Sequence, residues 1–209
     1  MDVRINKDWF EALSSSAPVP GGGGASALAG AGGAALCMMV ANLTVGKKKY
    51  AEHEELMKEF LVRLEKLRDE SLTLIEEDAK GFEPLAAAYS LPSSTDEEKA
   101  EKEKIMAQAL LKACEVPIMI MEKGAEILEI AEELAEKGSV MAVSDVGVAV
   151  QFARAAVLGA SMNVYINTKS MKDRKTAEEL NAKADSLNKK ASETADAVFA
   201  KIEGELKCR

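Results

Sequence analysis

The sequence predicts an all-α fold, a single-domain multi-helix bundle of roughly six to eight helices over residues 1–209 with a buried Gly/Ala-rich central helix. Three observations predict it. Apolar residues recur at spacings of three and four from Leu56 to Phe82 and again from Leu180 to Ile202. Two long stretches, "GGGGASALAGAGGAALCMMVANLTVG" and "SDVGVAVQFARAAVLGASMNVYIN", are rich in Ala and nearly free of charge, the pattern of helices surrounded by other helices. No alternating strand pattern of any length interrupts them, apart from a brief β-branched run near Val164 to Ile166.

Taken in order, the elements read as follows. A short amphipathic helix surrounds Trp9, Phe10 and Leu13 and leads to a turn at Pro18, Pro20 and the glycines. The buried helix is expected from about Ala25 to Leu43. A third helix begins near Glu52 and places Leu56, Phe60, Leu64, Leu67, Ser71, Leu74, Asp78 and Phe82 on one face. Pro84 is expected to bend or interrupt it, because proline lacks the donor and clashes with the preceding turn. "LPSSTDEEKAEKEK" reads as a loop and capping box, with Thr95 as N-cap and Glu98 reaching back. The next helix carries Ile105, Leu110 and Leu111, is expected to kink at Pro117, and runs to Lys137 before Gly138 stops it. Ser144 or Asp145 caps the second Ala-rich helix. Asp173 to Leu206 forms a last amphipathic helix with a narrow stripe at Leu180, Ala184, Leu187, Ala191, Val198 and Ile202.

Composition excludes several functions. The chain has 209 residues, 47% apolar and 30% charged, with a net charge of −8, so it lacks the broad basic face that nucleic acid requires. Cys37, Cys114 and Cys208 are far apart and form no C-x-x-C, which reads as reduced thiols in a cytoplasmic protein. His53 is the single histidine, which argues against a His-based zinc site and against Ser-His or Cys-His catalysis. No metal is expected, and chemistry falls to carboxylates, lysines, hydroxyls or backbone. The start "MDVRINKDWFEAL" is polar and lacks a secretory apolar core. The stretch Gly21 to Gly46 is long enough to span a membrane, but it is built of Ala and Gly, and a soluble buried helix is the better reading.

The glycines divide into two sets. Gly30, Gly32 and Gly33 imitate a dinucleotide fingerprint, yet no strand precedes them, and close helix packing is the favoured reading. Gly21, Gly22, Gly23 and Gly24 are read as opening backbone N–H groups at a helix N-terminus to a ligand, the alternative being a flexible turn. Lys47, Lys48 and Lys49 admit two readings, a solvated helix end or a recruiter of carboxylate-bearing ligand. Asp78 is the more informative residue, since it falls on the apolar stripe between Leu74 and Phe82, where a carboxylate is costly unless paired or used. Glu76 and Glu77 face solvent by the same phasing. Asp145 reads first as a cap and second as a site residue. Asn163 and Asn167 share a helix face, and their amides need either backbone or ligand partners.

"PVPGGGGASAL", "MVANLTVGKKKY", "EEDAKGF", "SDVGVAV" and "GASMNVYIN", in this order over nearly the whole chain, resemble the cyclodeaminase/cyclohydrolase family of folate enzymes, and the free-standing clostridial-type cyclohydrolases in particular. The resemblance implies an all-helical homodimer, with Asp78 as catalytic carboxylate and Gly21 to Gly24 forming part of the folate pocket. Glu76 stands where some relatives carry a second aspartate. The reaction so implied is hydrolysis of 5,10-methenyltetrahydrofolate to 10-formyltetrahydrofolate, with a tetrahydrofolate derivative as substrate and no permanently bound cofactor. Asp78 would serve as base, Asn163 and Asn167 would orient the ligand, and Lys47 to Lys49 would attract a glutamate tail. The alternatives are a cyclodeaminase releasing ammonia from formiminotetrahydrofolate, a non-catalytic folate-binding module, and a membrane-associated helical protein.

Overall fold

The structure, a computed structural model, describes residues 7–208; the first six residues of the expected polar start and Arg209 lie outside them. Six helices follow one another: α1 Lys7–Leu13, α2 Gly22–Asn42, α3 Glu54–Tyr89, α4 Asp96–Lys137, α5 Val143–Lys169 and α6 Arg174–Lys207. Short 3₁₀ turns at Lys48–His53 and Val140–Ala142 lead into α3 and α5. Among the described residues there is no strand, and the run Val164 to Ile166 lies inside α5.

Helix α2 lies against α3, α4 and α5, and α6 packs across α4 and α5. The stripe of α3 is buried at Phe60, Leu64, Leu67, Ser71 and Leu74. Met57, one position beyond the expected Leu56, is fully buried as well. The close approach of α2 and α5 depends on missing side chains: a Cβ on Gly33 would meet the backbone of Ala149 and Ala153 at 3.2 Å, and one on Gly32 would meet the Phe152 ring at 2.9 Å. Packing therefore accounts for Gly32 and Gly33, while Gly30 sits 3.5 Å from Ala156 by the same measure. Contacts at Gly22 with Asn163, Gly32 with Phe152 and Thr44 with Ser139 make the two helices antiparallel.

Several local expectations are corrected. Helix α2 begins at Gly22, not Ala25, so the glycines form its first turn; burial of Gly23 and Gly24 outweighs their poor propensity. Helix α3 continues through Pro84 to Tyr89 without interruption, with the proline exposed, and α4 runs through Pro117. Asp145 is not a cap, because α5 starts at Val143 after Ala142 and leaves Asp145 in the first turn, where a carboxylate still opposes the helix dipole favourably. The capping box of Thr95 and Glu98 and the stop at Gly138 are as expected, and Asp173 caps α6 by accepting from the Thr176 N–H.

One side of the α2/α5 pair has no covering element among the described residues. Ala35, Met39 and Leu43 of α2, with Val148, Phe152, Ala155, Met162 and Ile166 of α5, are exposed there. Met141, at 87% exposure, lies at one end. Helix α2 and the segment Val140–Lys169 are each long and apolar enough to cross a bilayer, and about half of each apolar window is buried, 56% and 50%.

Candidate active site

Asp78 faces the N-terminus of α2. A Cβ on Gly23 would lie 2.1 Å from Asp78 Oδ1 and 2.4 Å from Cγ, so only glycine lets the carboxylate rest on the helix backbone. The Gly24 N–H donates to that carboxylate. The first turn of α2 is thus an anion site already filled by the protein's own acid. Burial pushes the Asp78 carboxyl above the usual carboxylate range, and the Gly24 hydrogen bond opposes that shift without cancelling it. Glu76 and Glu77 point to solvent on the same helix, as their phasing predicts.

A cavity of about 190 Å³ opens beside Asp78. Gly21 and Gly22 form part of its wall, with Phe82 from α3, Lys112 and Pro117 from α4, and Asn163 and Asn167 from α5. Asn163 Nδ2 makes only a long 3.4 Å bond to the Gly159 carbonyl, and Oδ1 has no donor among the described residues. Asn167 is more constrained, since its Nδ2 donates to the Ala113 carbonyl at 3.0 Å and only 9% of the residue is exposed. Cys114 borders Asn167, and burial raises its thiol to about 11, which makes it a poor nucleophile. The site therefore joins one poised carboxylate, one amide free to bind, one amide tied to the backbone and one cation, Lys112.

The remaining expected site residues lie elsewhere. Gly23 and Gly24 do not line the cavity; they seat Asp78. Lys47 follows the opposite end of α2 and donates to Ser139 Oγ at 3.2 Å. Lys49 lies 5.2 Å from the Tyr50 ring centroid, and Lys48 is exposed. Asp145 occupies that same far end. With 1.5 Å of rise per residue, α2 separates the two groups by about 30 Å within one chain. Lys112 escaped the sequence reading because a lysine between Leu111 and Ala113 on an amphipathic helix looks like any solvated position. No group of three or more metal-ligating side chains occurs among the described residues.

The chain is similar to known proteins over most of its length. The family model described as formiminotransferase-cyclodeaminase matches residues 6–186. A methenyltetrahydrofolate cyclohydrolase of Methylorubrum extorquens is 45% identical over 193 residues, which cover 89% of this chain and 93% of that protein. The formimidoyltransferase-cyclodeaminase of Gallus gallus is 31% identical over 92% of this chain, which spans only 36% of that longer protein. The crystal structure of formiminotetrahydrofolate cyclodeaminase from Thermotoga maritima superposes with a TM-score of 0.86 at 26% identity, covering 97% of this chain and 98% of the other.

Proposed function

This chain belongs to the formiminotransferase-cyclodeaminase family, and from that premise we propose that it is a folate one-carbon enzyme, a hydrolase that converts 5,10-methenyltetrahydrofolate to 10-formyltetrahydrofolate. The observation that carries the reaction is the 45% identity to a cyclohydrolase that matches nearly end to end. Asp78 supplies the chemistry. The bridging carbon of the substrate is held between N5 and N10 as an amidinium cation, already electrophilic toward water. Asp78 takes a proton from that water as its oxygen bonds to the bridging carbon. The proton then passes to N5, the carbon–N5 bond breaks, and the hydroxyl proton leaves as the formyl carbonyl forms on N10. One proton is released overall. A carboxylate raised by burial is a stronger base than an exposed one, and in its charged form it attracts the cationic substrate.

Asn163 orients the ligand through its unbonded Oδ1, and Asn167 holds the wall around it. Gly21 and Gly22 give the ring system a close approach to backbone. The protein works as a cytoplasmic homodimer in this reading, supported by the uncovered α2/α5 face and by three free thiols. The structural likeness to a cyclodeaminase favours a second reading, in which N10 attacks the formimino carbon and ammonia leaves. Offering both substrates separately to purified protein decides between them. Methenyl absorbance falls if the protein is the hydrolase and rises if it is the deaminase; no change in either sinks both.

A further inference from the structure

The cavity and the lysine run lie about 30 Å apart along α2, too far for one chain to use both on a single compact ligand. We infer that the site is assembled from two copies of this chain, with Lys48 and Lys49 of the partner subunit reaching the cavity mouth and binding the carboxylates of a folate's glutamyl tail. The tail assignment rests on the folate reading above.

Four observations carry it. The uncovered face of α2 and α5 presents Met39, Leu43, Val148, Phe152, Met162 and Ile166, each between 41% and 61% exposed, and no charged side chain lies among them. With Met141 at one end they form a run of exposed apolar side chains along both helices, the kind of surface that marks an interface and not the singly scattered apolar residues of a monomer. Second, the antiparallel α2/α5 pair has its midpoint near Gly32 and Phe152, so a two-fold axis there makes the face meet itself. Third, charge selects the direction of that axis. An axis parallel to the helices would bring two Lys47–Lys49 runs together and align two α2 dipoles; an axis across them reverses α2 in the second copy and separates the runs. Each run then sits over the start of the other copy's α2, where Asp78 lies. Fourth, Ile166 belongs both to the cavity wall and to the apolar face, and the cavity, at about 190 Å³, is smaller than the ~300 Å³ at the low end for small-molecule sites. A second copy seated on this face adds the missing wall.

The test is complementation between two differently tagged chains, one carrying Asp78→Asn and the other Lys48→Glu with Lys49→Glu. Both lysines are on the surface, so the charge-reversed chain keeps its core. Light scattering first establishes the mass; a monomer, or a protein that partitions into lipid vesicles, overturns the proposal. The charge-reversed homodimer is expected to show a KM for polyglutamylated methenyltetrahydrofolate raised on the order of tenfold, since each exposed charge pair contributes up to about 1 kcal/mol. An unchanged KM overturns the tail site. In the mixed dimer, the chain with intact Asp78 receives intact lysines from its partner. Wild-type KM with about half the wild-type kcat is therefore expected. A KM as high as that of the charge-reversed homodimer means that the lysines act within their own chain, and overturns the two-copy site. Absence of turnover in the wild type would instead overturn the folate reading, and the tail assignment with it.

Discussion

Replacing Gly23 by alanine puts a methyl group where the Asp78 carboxylate now rests. The new carbon would stand 2.1 Å from Oδ1 and 2.4 Å from Cγ, against an ordinary contact of about 3.4 Å or more, so the carboxylate must retreat by on the order of 1 Å. Asp78 is half-buried beside a cavity and can swing into it, so the fold survives. The gain in helix propensity of up to about 1 kcal/mol offsets part of an overpacking cost of about 1–3 kcal/mol. For a chain of this length a net loss of up to about 2 kcal/mol lowers Tm by roughly 4–8 °C at most. Catalysis has no such tolerance, because a displacement of about 1 Å in a reacting group costs about 10²-fold. Gly204→Ala is the control, since a Cβ there meets nothing within 4 Å; it should raise stability slightly and leave turnover unchanged. The assay is methenyltetrahydrofolate hydrolysis beside thermal unfolding. Gly23→Ala retaining turnover within threefold of wild type would refute the claim that Gly23 exists to seat Asp78.

Burial carries three further predictions. Because the Asp78 carboxyl is raised in the folded state, protonation favours folding: that contribution is full below the unfolded carboxylate value of about 3.9 and is lost as pH rises through the folded value. Urea melts of Asp78→Asn, which keeps an oxygen for the Gly24 N–H, should therefore show a stability advantage over wild type that grows from acid to neutral pH; an advantage that shrinks would reverse the sign of the shift. The acid limb of the pH–rate profile should lie above the ordinary carboxylate range for the same reason. Leu64 is fully buried in the α3 stripe, so Leu64→Ala should cost about 2–5 kcal/mol in denaturant unfolding.

Periodicity made the helices legible because burial on a helix repeats every three or four residues, and that same repeat exposed Asp78 as a carboxylate out of place. What periodicity does not carry is which helix ends meet. Gly22 to Gly24 looked like a turn because glycine is a poor helix former, yet contact with Asp78 and neighbouring helices sets their conformation. Pro84 looked like a break, but on an exposed flank of a long packed helix the lost hydrogen bond is outweighed. Lys112 and Asp145 show the limit from opposite sides: one ordinary surface lysine reaches the cavity, and one motif aspartate lies at the far end of α5. The apolar outer stripe of α2 was also hidden, since uniform hydrophobicity does not tell a face buried within a chain from one left open on it.

The central claim is that Asp78 is the base. Single-turnover hydrolysis of methenyltetrahydrofolate by Asp78→Asn, with folding verified by circular dichroism and Tm, tests it most directly. The account predicts a rate lowered about 10²–10⁴-fold, and a rate near that of the wild type would contradict it.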